Sequence, residues 1–279
     1  MATKQVSPAE RLRALPWGAM ALISLYVSIV SGIVVALQYQ TAGAYHSVVM
    51  LEQLVPHGAF VRSLHFYASQ AFFLLLIAHF LAAARHFAEM DRAEYLRLAA
   101  ILPTTVLLLF TGYVLRADST GASAGRIAEA IILTIPFIGK TCDSLFVAIT
   151  GHGLGRIFLH HLVTLNVILL LLAWRHLHRY GVEAGNYLWL MAALALFSAF
   201  VPAPLDADRL GRVSITGPWF FLGIQETLRY LPTFTAGVGL PAGLLVALAF
   251  LPDRPRAVSR FILIWLAVYT ALSLVAIWR

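Results

Sequence analysis

Histidines inside an apolar stretch are costly in lipid and are kept there by a partner or a function. This chain holds them in two such stretches at matched spacing. His65 and His79 stand fourteen residues apart in the segment 63–84. A second segment, 157–178, carries His160, His161, His176 and His178, among which His161 and His176 form a pair fifteen apart. That spacing is about four helical turns, so each pair lies on roughly one face, separated by roughly 21–22 Å along the axis, and spans much of a bilayer core of about 30 Å. Residues one or two apart face different directions, so one histidine of each close couple in the second segment is spare. Two co-directional helices, each with an upper and a lower imidazole, can clamp two stacked haems by bis-imidazole ligation. That would be a transmembrane electron wire.

The neighbouring residues fit the same chemistry. Gly18 and Gly32 repeat the fourteen-residue spacing, and a missing side chain lets a flat porphyrin approach the backbone. Gly112 offers a third notch, although Leu98 stands where its partner would be. Arg62 and Arg156 precede their histidines by three and five residues, at the end where haem propionates would emerge. His46, His57, His86 and His152 lie between the apolar runs and are read as bystanders. A single cysteine, Cys142, rules out a Cys-x-x-Cys-His attachment motif, an iron–sulfur cluster and an internal disulfide. Haem would therefore be held non-covalently, by histidine.

The elements that position these residues are membrane helices. Hydrophobic residues make up 60% of 279 and charged residues 12%, with mean hydropathy +0.82. Apolar runs at 17–38, 62–84, 98–115, 157–178, 186–201, 233–251 and 260–278 predict an all-α integral membrane protein of seven transmembrane helices, the first four forming a dihaem four-helix bundle. Pro202 and Pro204 end the short fifth run. The long connections 39–61, 116–156 and 202–232 fall on one face, and long loops on one face normally build a site there. The charge of +7 belongs to loops and termini and not to a nucleic-acid surface. Eleven Lys and Arg on the N-terminal side (Lys4, Arg11, Arg13, Arg85, Arg92, Arg97, Arg175, Arg179, Arg254, Arg256, Arg260) against nine opposite place the N-terminus in the cytoplasm. The polar first residues carry no cleavage site, so no signal peptide is read.

Several stretches resemble the cytochrome b subunit of quinol-oxidising Rieske/cytochrome b complexes. They are Val61-Arg62-Ser63-Leu64-His65, Thr111-Gly112-Tyr113-Val114-Leu115 and Ile135-Pro136-Phe137-Ile138-Gly139. The resemblance is closest to the split plastid and cyanobacterial form, here fused, which implies a dihaem domain over 1–185 and a three-helix domain over 186–279. Arg156 five before His161, and the fifteen-residue gap to His176, match that form's fourth helix. The match selects His161 over His160 and His176 over His178, and implies two haem b groups, on His65 with His161 and on His79 with His176. The split form's haem-attaching cysteine falls at about Pro16, so no extra covalent haem is expected.

Two departures accompany the resemblance. The family's Pro-Glu-Trp-Tyr reads Gly217-Pro218-Trp219-Phe220 here, followed by Leu228-Arg229-Tyr230-Leu231-Pro232, so the acid that would accept a quinol proton is Pro218. The family's Leu-Pro-Trp reads Leu115-Arg116-Ala117. Trp219 and Phe220 are then the candidate quinol-facing residues, and Glu226, ahead of Asp118 and Glu129, the candidate replacement acid, because a carboxylate near the interface suits proton exchange. The expected activity is quinol oxidoreductase, as the electron-transfer subunit of a bacterial inner-membrane complex, with coupling to proton translocation open to it. The expected partners are lipid, quinone, and a multihaem c-type cytochrome or iron–sulfur protein, a Rieske subunit included; a homodimer is also open. The alternative is a membrane-anchoring haem b conduit for a dehydrogenase or reductase, with no quinol oxidation on the long-loop face.

Overall fold

The computed structural model describes residue 12 and residues 14–151, 153–206 and 215–278; Lys4, Arg11, Arg13 and His152 lie outside them. The described residues are helical, with no strand among them. In chain order the helices are α1 (Trp17–Gln38), α2 (Ala44–Leu54), α3 (Gly58–Ala83), α4 (Arg92–Ala99), α5 (Ile101–Leu115), α6 (Ser119–Leu133), α7 (Gly139–Phe146), α8 (Leu154–Leu159), α9 (Leu165–Arg179), α10 (Leu188–Phe200), α11 (Leu222–Thr227), α12 (Leu240–Phe250) and α13 (Pro255–Trp278). Among the described residues, five stretches are long and apolar enough to cross a membrane: Trp17–Gln38, Gly58–Glu89, Arg92–Leu115, Leu154–Arg179 and Pro255–Trp278. Two shorter apolar helices, Ala184–Phe200 and Thr235–Phe250, occupy the other two expected runs.

Boundaries shift for identifiable reasons. The third run starts at Arg92 and not at 98, because Asp91 accepts the backbone N–H groups of Ala93 and Glu94 at 3.1 Å and caps the turn. The long connections hold helices of their own. α6 begins where Asp118 accepts the Gly121 N–H at 2.9 Å, and α2 and α7 fill much of the rest. Several hydroxyls inside the apolar helices are satisfied locally: Ser24 donates to the Met20 carbonyl at 3.0 Å and Thr105 to that of Ile101 at 2.8 Å. In lipid no water would take these protons.

The chain divides into two compact units interleaved in sequence, one of 1–38, 50–95 and 173–203, the other of 39–49, 96–172 and 204–279. In the first, α1, α3 and α10 pack together around buried Ile23, Ala68, Leu190 and Leu194. In the second, Val114, Leu115, Val147 and Ile157 form a core with Tyr39, Phe110 and Phe158 packed against it. The separate contact of α11 with α13 also belongs to the second unit.

Candidate functional site

In the first unit His79 on α3 faces His176 on α9, with ring centroids 5.9 Å apart and planes tilted by 56°. Imidazole nitrogens about 2 Å from one metal put ring centroids roughly 6 Å apart, a separation this pair matches. Tyr180 lies against His176, with centroids at 4.9 Å. His178 instead stacks on Trp174 at 6.0 Å and is exposed. Geometry thus puts His176, not His178, toward His79.

His65 is fixed by α1. Its Nδ1 lies 2.8 Å from the Ser28 carbonyl oxygen. A carbonyl only accepts, so Nδ1 carries the proton and Nε2 keeps the lone pair that can bind a metal. In the second unit the Nδ1 of His161 lies 2.9 Å from the Thr111 hydroxyl. That hydroxyl donates to the Leu107 carbonyl at 2.8 Å, so its oxygen accepts from His161, and Nε2 is again the lone-pair nitrogen. Outer partners of this kind orient metal-binding imidazoles. Neither Ser28 nor Thr111 was singled out for this role in the sequence; Ser28 stands four before Gly32, on the same helical face. His160 is engaged elsewhere, 3.2 Å from the Thr164 hydroxyl and 3.1 Å from the Leu145 carbonyl oxygen.

Three of the four histidines each meet a glycine. A Cβ on Gly18 would stand 2.9 Å from Cε1 of His79, one on Gly32 2.7 Å from Cε1 of His65, and one on Gly112 3.2 Å from Cε1 of His161. At the first two positions a side chain would force the imidazole to move. The fifteen-residue gap also has a cause. Residues His160–Thr164 form a π turn between α8 and α9, and Asn166 donates its amide to the His161 carbonyl at 2.6 Å. A π turn takes up one extra residue, so fifteen residues here keep the register that fourteen give on α3.

The other candidates have the following neighbours. Arg62 is buried, donating to Glu52 at 2.6 Å through Nε and to the Ala203 carbonyl; Ala203 in turn donates to the Ser63 hydroxyl at 2.9 Å. Arg156 is exposed. Arg116, the departure after α5, is buried in a pair with Asp118 (Nε to Oδ2 3.0 Å), its guanidinium 5.1 Å from the Tyr113 ring centre. Glu129 accepts from the Thr150 hydroxyl at 2.6 Å. Glu226 is buried, 1% exposed. Its Oε1 accepts from the Tyr230 hydroxyl at 2.8 Å and its Oε2 lies 3.2 Å from Nε of Arg229. Trp219 and Phe220 lie in one 3₁₀ turn, Trp219–Phe221, with Pro218 before it. Phe220 sets its ring edge to Tyr113 at 5.5 Å and Phe221 to Phe110 at 5.2 Å.

Helices long and apolar enough to cross a membrane, carrying imidazoles set against glycines, fit a haem-binding membrane protein. The comparisons make that specific. The family model "Cytochrome b/b6/petB" matches residues 3–181, and the chain belongs to that family. It is an integral membrane cytochrome b of electron transfer and binds haem b. Among its relatives is a cytochrome b6 of Heliobacterium mobile, 27% identical over 158 residues, covering 54% of this chain and 74% of that protein. A cytochrome b6 of Heliomicrobium gestii is 25% identical over 166 residues, covering 57% and 78%. A chain of a solved "Hyperthermophilic respiratory Complex III" shares the fold with TM-score 0.71 at 20% identity, over 99% of this chain and 85% of that one.

Proposed function

We propose that this cytochrome b carries electrons between a membrane quinol or quinone and a partner redox subunit of a larger complex, holding two non-covalent haem b groups by histidine pairs. The observation that carries the reading is the facing pair His79 and His176, 5.9 Å apart with Gly18 against His79. The family register pairs His65 with His161, and the Nδ1 bonds of both support ligation through Nε2. Bound haem iron supplies the one-electron chemistry into which a quinol's two electrons must be divided. The family match ends at residue 181, which supports a four-helix haem domain over 1–185 and a three-helix domain over 186–279. The basic-residue bias supports a cytoplasmic N-terminus in a bacterial inner membrane. The altered motif favours a multihaem c-type cytochrome or an iron–sulfur protein as partner, in an assembly open to homodimerisation.

In this reading Trp219 and Phe220 present an aromatic face to a quinol ring, and Glu226 takes the proton in place of the acid lost at Pro218. A proton leaving the quinol oxygen for the Glu226 carboxylate has a way out by exchange with the Tyr230 hydroxyl, on an exposed residue, while Arg229 stays protonated and holds the acid by an ion pair. Pro218 in the acid's position favours the second reading, a conduit that does not oxidise quinol on this face. Stopped-flow reduction of the purified complex by a quinol analogue separates them. Glu226→Gln should slow reduction several-fold with both haem spectra unchanged. The slowing should ease as pH rises across about 6 to 9, because a quinol that sheds its proton to water needs the side chain less. Unaltered rates in Glu226→Gln would discard that residue, and unaltered rates in Trp219→Ala as well would leave the conduit.

A further inference from the structure

The aromatic segment has little backbone structure of its own. Residues 215–218 are irregular and Trp219–Phe221 is a single 3₁₀ turn. It is fastened by side chains. Gln225 accepts the Gly217 N–H at 2.7 Å and donates to the Ile215 carbonyl at 2.8 Å. Tyr269, on α13 and 49 residues after Phe220, donates its hydroxyl to the Phe220 carbonyl at 2.7 Å. The tyrosine ring reaches α11 only because Gly223 lacks a side chain: a Cβ there would stand 2.6 Å from Cε2 and 2.7 Å from Cδ2 and Cζ of Tyr269. Trp265, one turn earlier on α13, stacks on that ring with centroids 4.8 Å apart and planes 11° from parallel. A rigid stack, a glycine seat and a short hydrogen bond therefore converge on the carbonyl between Trp219 and Phe221.

We propose that Tyr269 is a positioning residue of the quinol site, fixing through the Phe220 carbonyl the stance of the Trp219–Phe220–Phe221 wall against which a quinol ring lies. The inference rests on the quinol-site reading of that segment. The 3₁₀ turn runs directly into α11 at Leu222, and the phenol ties its middle carbonyl to α13. Without it the turn can rotate, and the rings that edge onto Tyr113 and Phe110 lose their fixed pitch. Tyr269 does not touch the reacting atoms in this scheme. Its loss weakens capture of quinol and spares the chemical step.

Two variants test this in the intact complex. Tyr269→Phe removes only the hydroxyl, and Gly223→Ala pushes the ring off its seat while keeping the hydroxyl. Each should raise KM for a short-tailed quinol analogue roughly tenfold, the size of one lost hydrogen bond, with kcat changed less than about twofold. Haem content and both midpoint potentials should stay as in the parent, which a general loss of packing would not allow. A fall in kcat at unchanged KM, or parent-like kinetics in both variants, overturns the inference. Trp219→Ala, run alongside, separates the two levels. If it oxidises quinol normally, the quinol-site reading falls; if it is impaired while Tyr269→Phe and Gly223→Ala are not, only the role of Tyr269 falls.

Discussion

The imidazoles and the aromatic segment are held in opposite ways. His65 and His79 sit on α3, His176 on α9 and His161 in the π turn that joins α8 to α9; a backbone carbonyl holds His65, a hydroxyl holds His161, and glycines face His65, His79 and His161. Trp219 and Phe220 sit in one short turn after irregular chain, fixed by Gln225 and by Tyr269. Redox groups need fixed distances, so their ligands belong on rigid elements. A substrate must enter and leave, so its wall stands on a segment that can yield. Substitutions in the first region should change what the protein contains, and in the second how well it binds.

The largest effect expected is loss of a cofactor. His79→Leu or His176→Leu should leave one haem b per chain, and His65→Leu or His161→Leu should remove the other. His160→Ala and His178→Ala should keep both, since His160 bonds Thr164 and the Leu145 carbonyl and His178 stacks on Trp174. Pyridine haemochrome analysis with redox titration reads each outcome. Loss of a haem in the His178 variant but not in the His176 variant would overturn the register.

Next in size comes the outer support of His161. Thr111→Val keeps the shape of the side chain but leaves the Nδ1–H without its acceptor. Removal of such partners typically weakens metal binding by about 10–100-fold, so haem should dissociate from this variant on mild detergent washing, while Thr111→Ser retains it. Equal retention in Val and Ser variants would mean the hydroxyl does not orient the ligand.

How much of this was legible in the sequence follows from the range of each interaction. Histidine and glycine spacing within one helix showed in the chain because helical periodicity is local. The Pro202 stop and the apolar runs were legible for the same reason. The Asp91 and Asp118 caps are local too, but both stand in connections between the apolar runs, where hydropathy marks no helix. Ser28 with His65, Thr111 with His161 and Tyr269 with Phe220 join residues 37, 50 and 49 apart. No period reports such contacts. The π turn at His160–Thr164 left one trace, a gap of fifteen where its counterpart has fourteen. That trace becomes readable only once the backbone is known.

The smallest effect expected lies at the end of α1. Tyr39 donates to the Leu115 carbonyl at 2.8 Å and stacks on Phe158, with centroids at 5.1 Å. Burial pushes its phenol above the ordinary value of 10.0, because the charged form is disfavoured away from water. The unfolded chain would therefore ionise this tyrosine first as pH rises past about 10, while the folded protein keeps it neutral. Its contribution is present in full below that pH and declines above it. Tyr39→Phe should lower stability by about 1 kcal/mol at neutral pH through the lost hydrogen bond, seen as a lower melting temperature of the detergent-solubilised protein. The gap between parent and variant should narrow as pH is raised above about 10. A gap that widens with pH would mean the hydroxyl is ionised in the folded state, and the reading of Tyr39 as a neutral donor to Leu115 would fall with it.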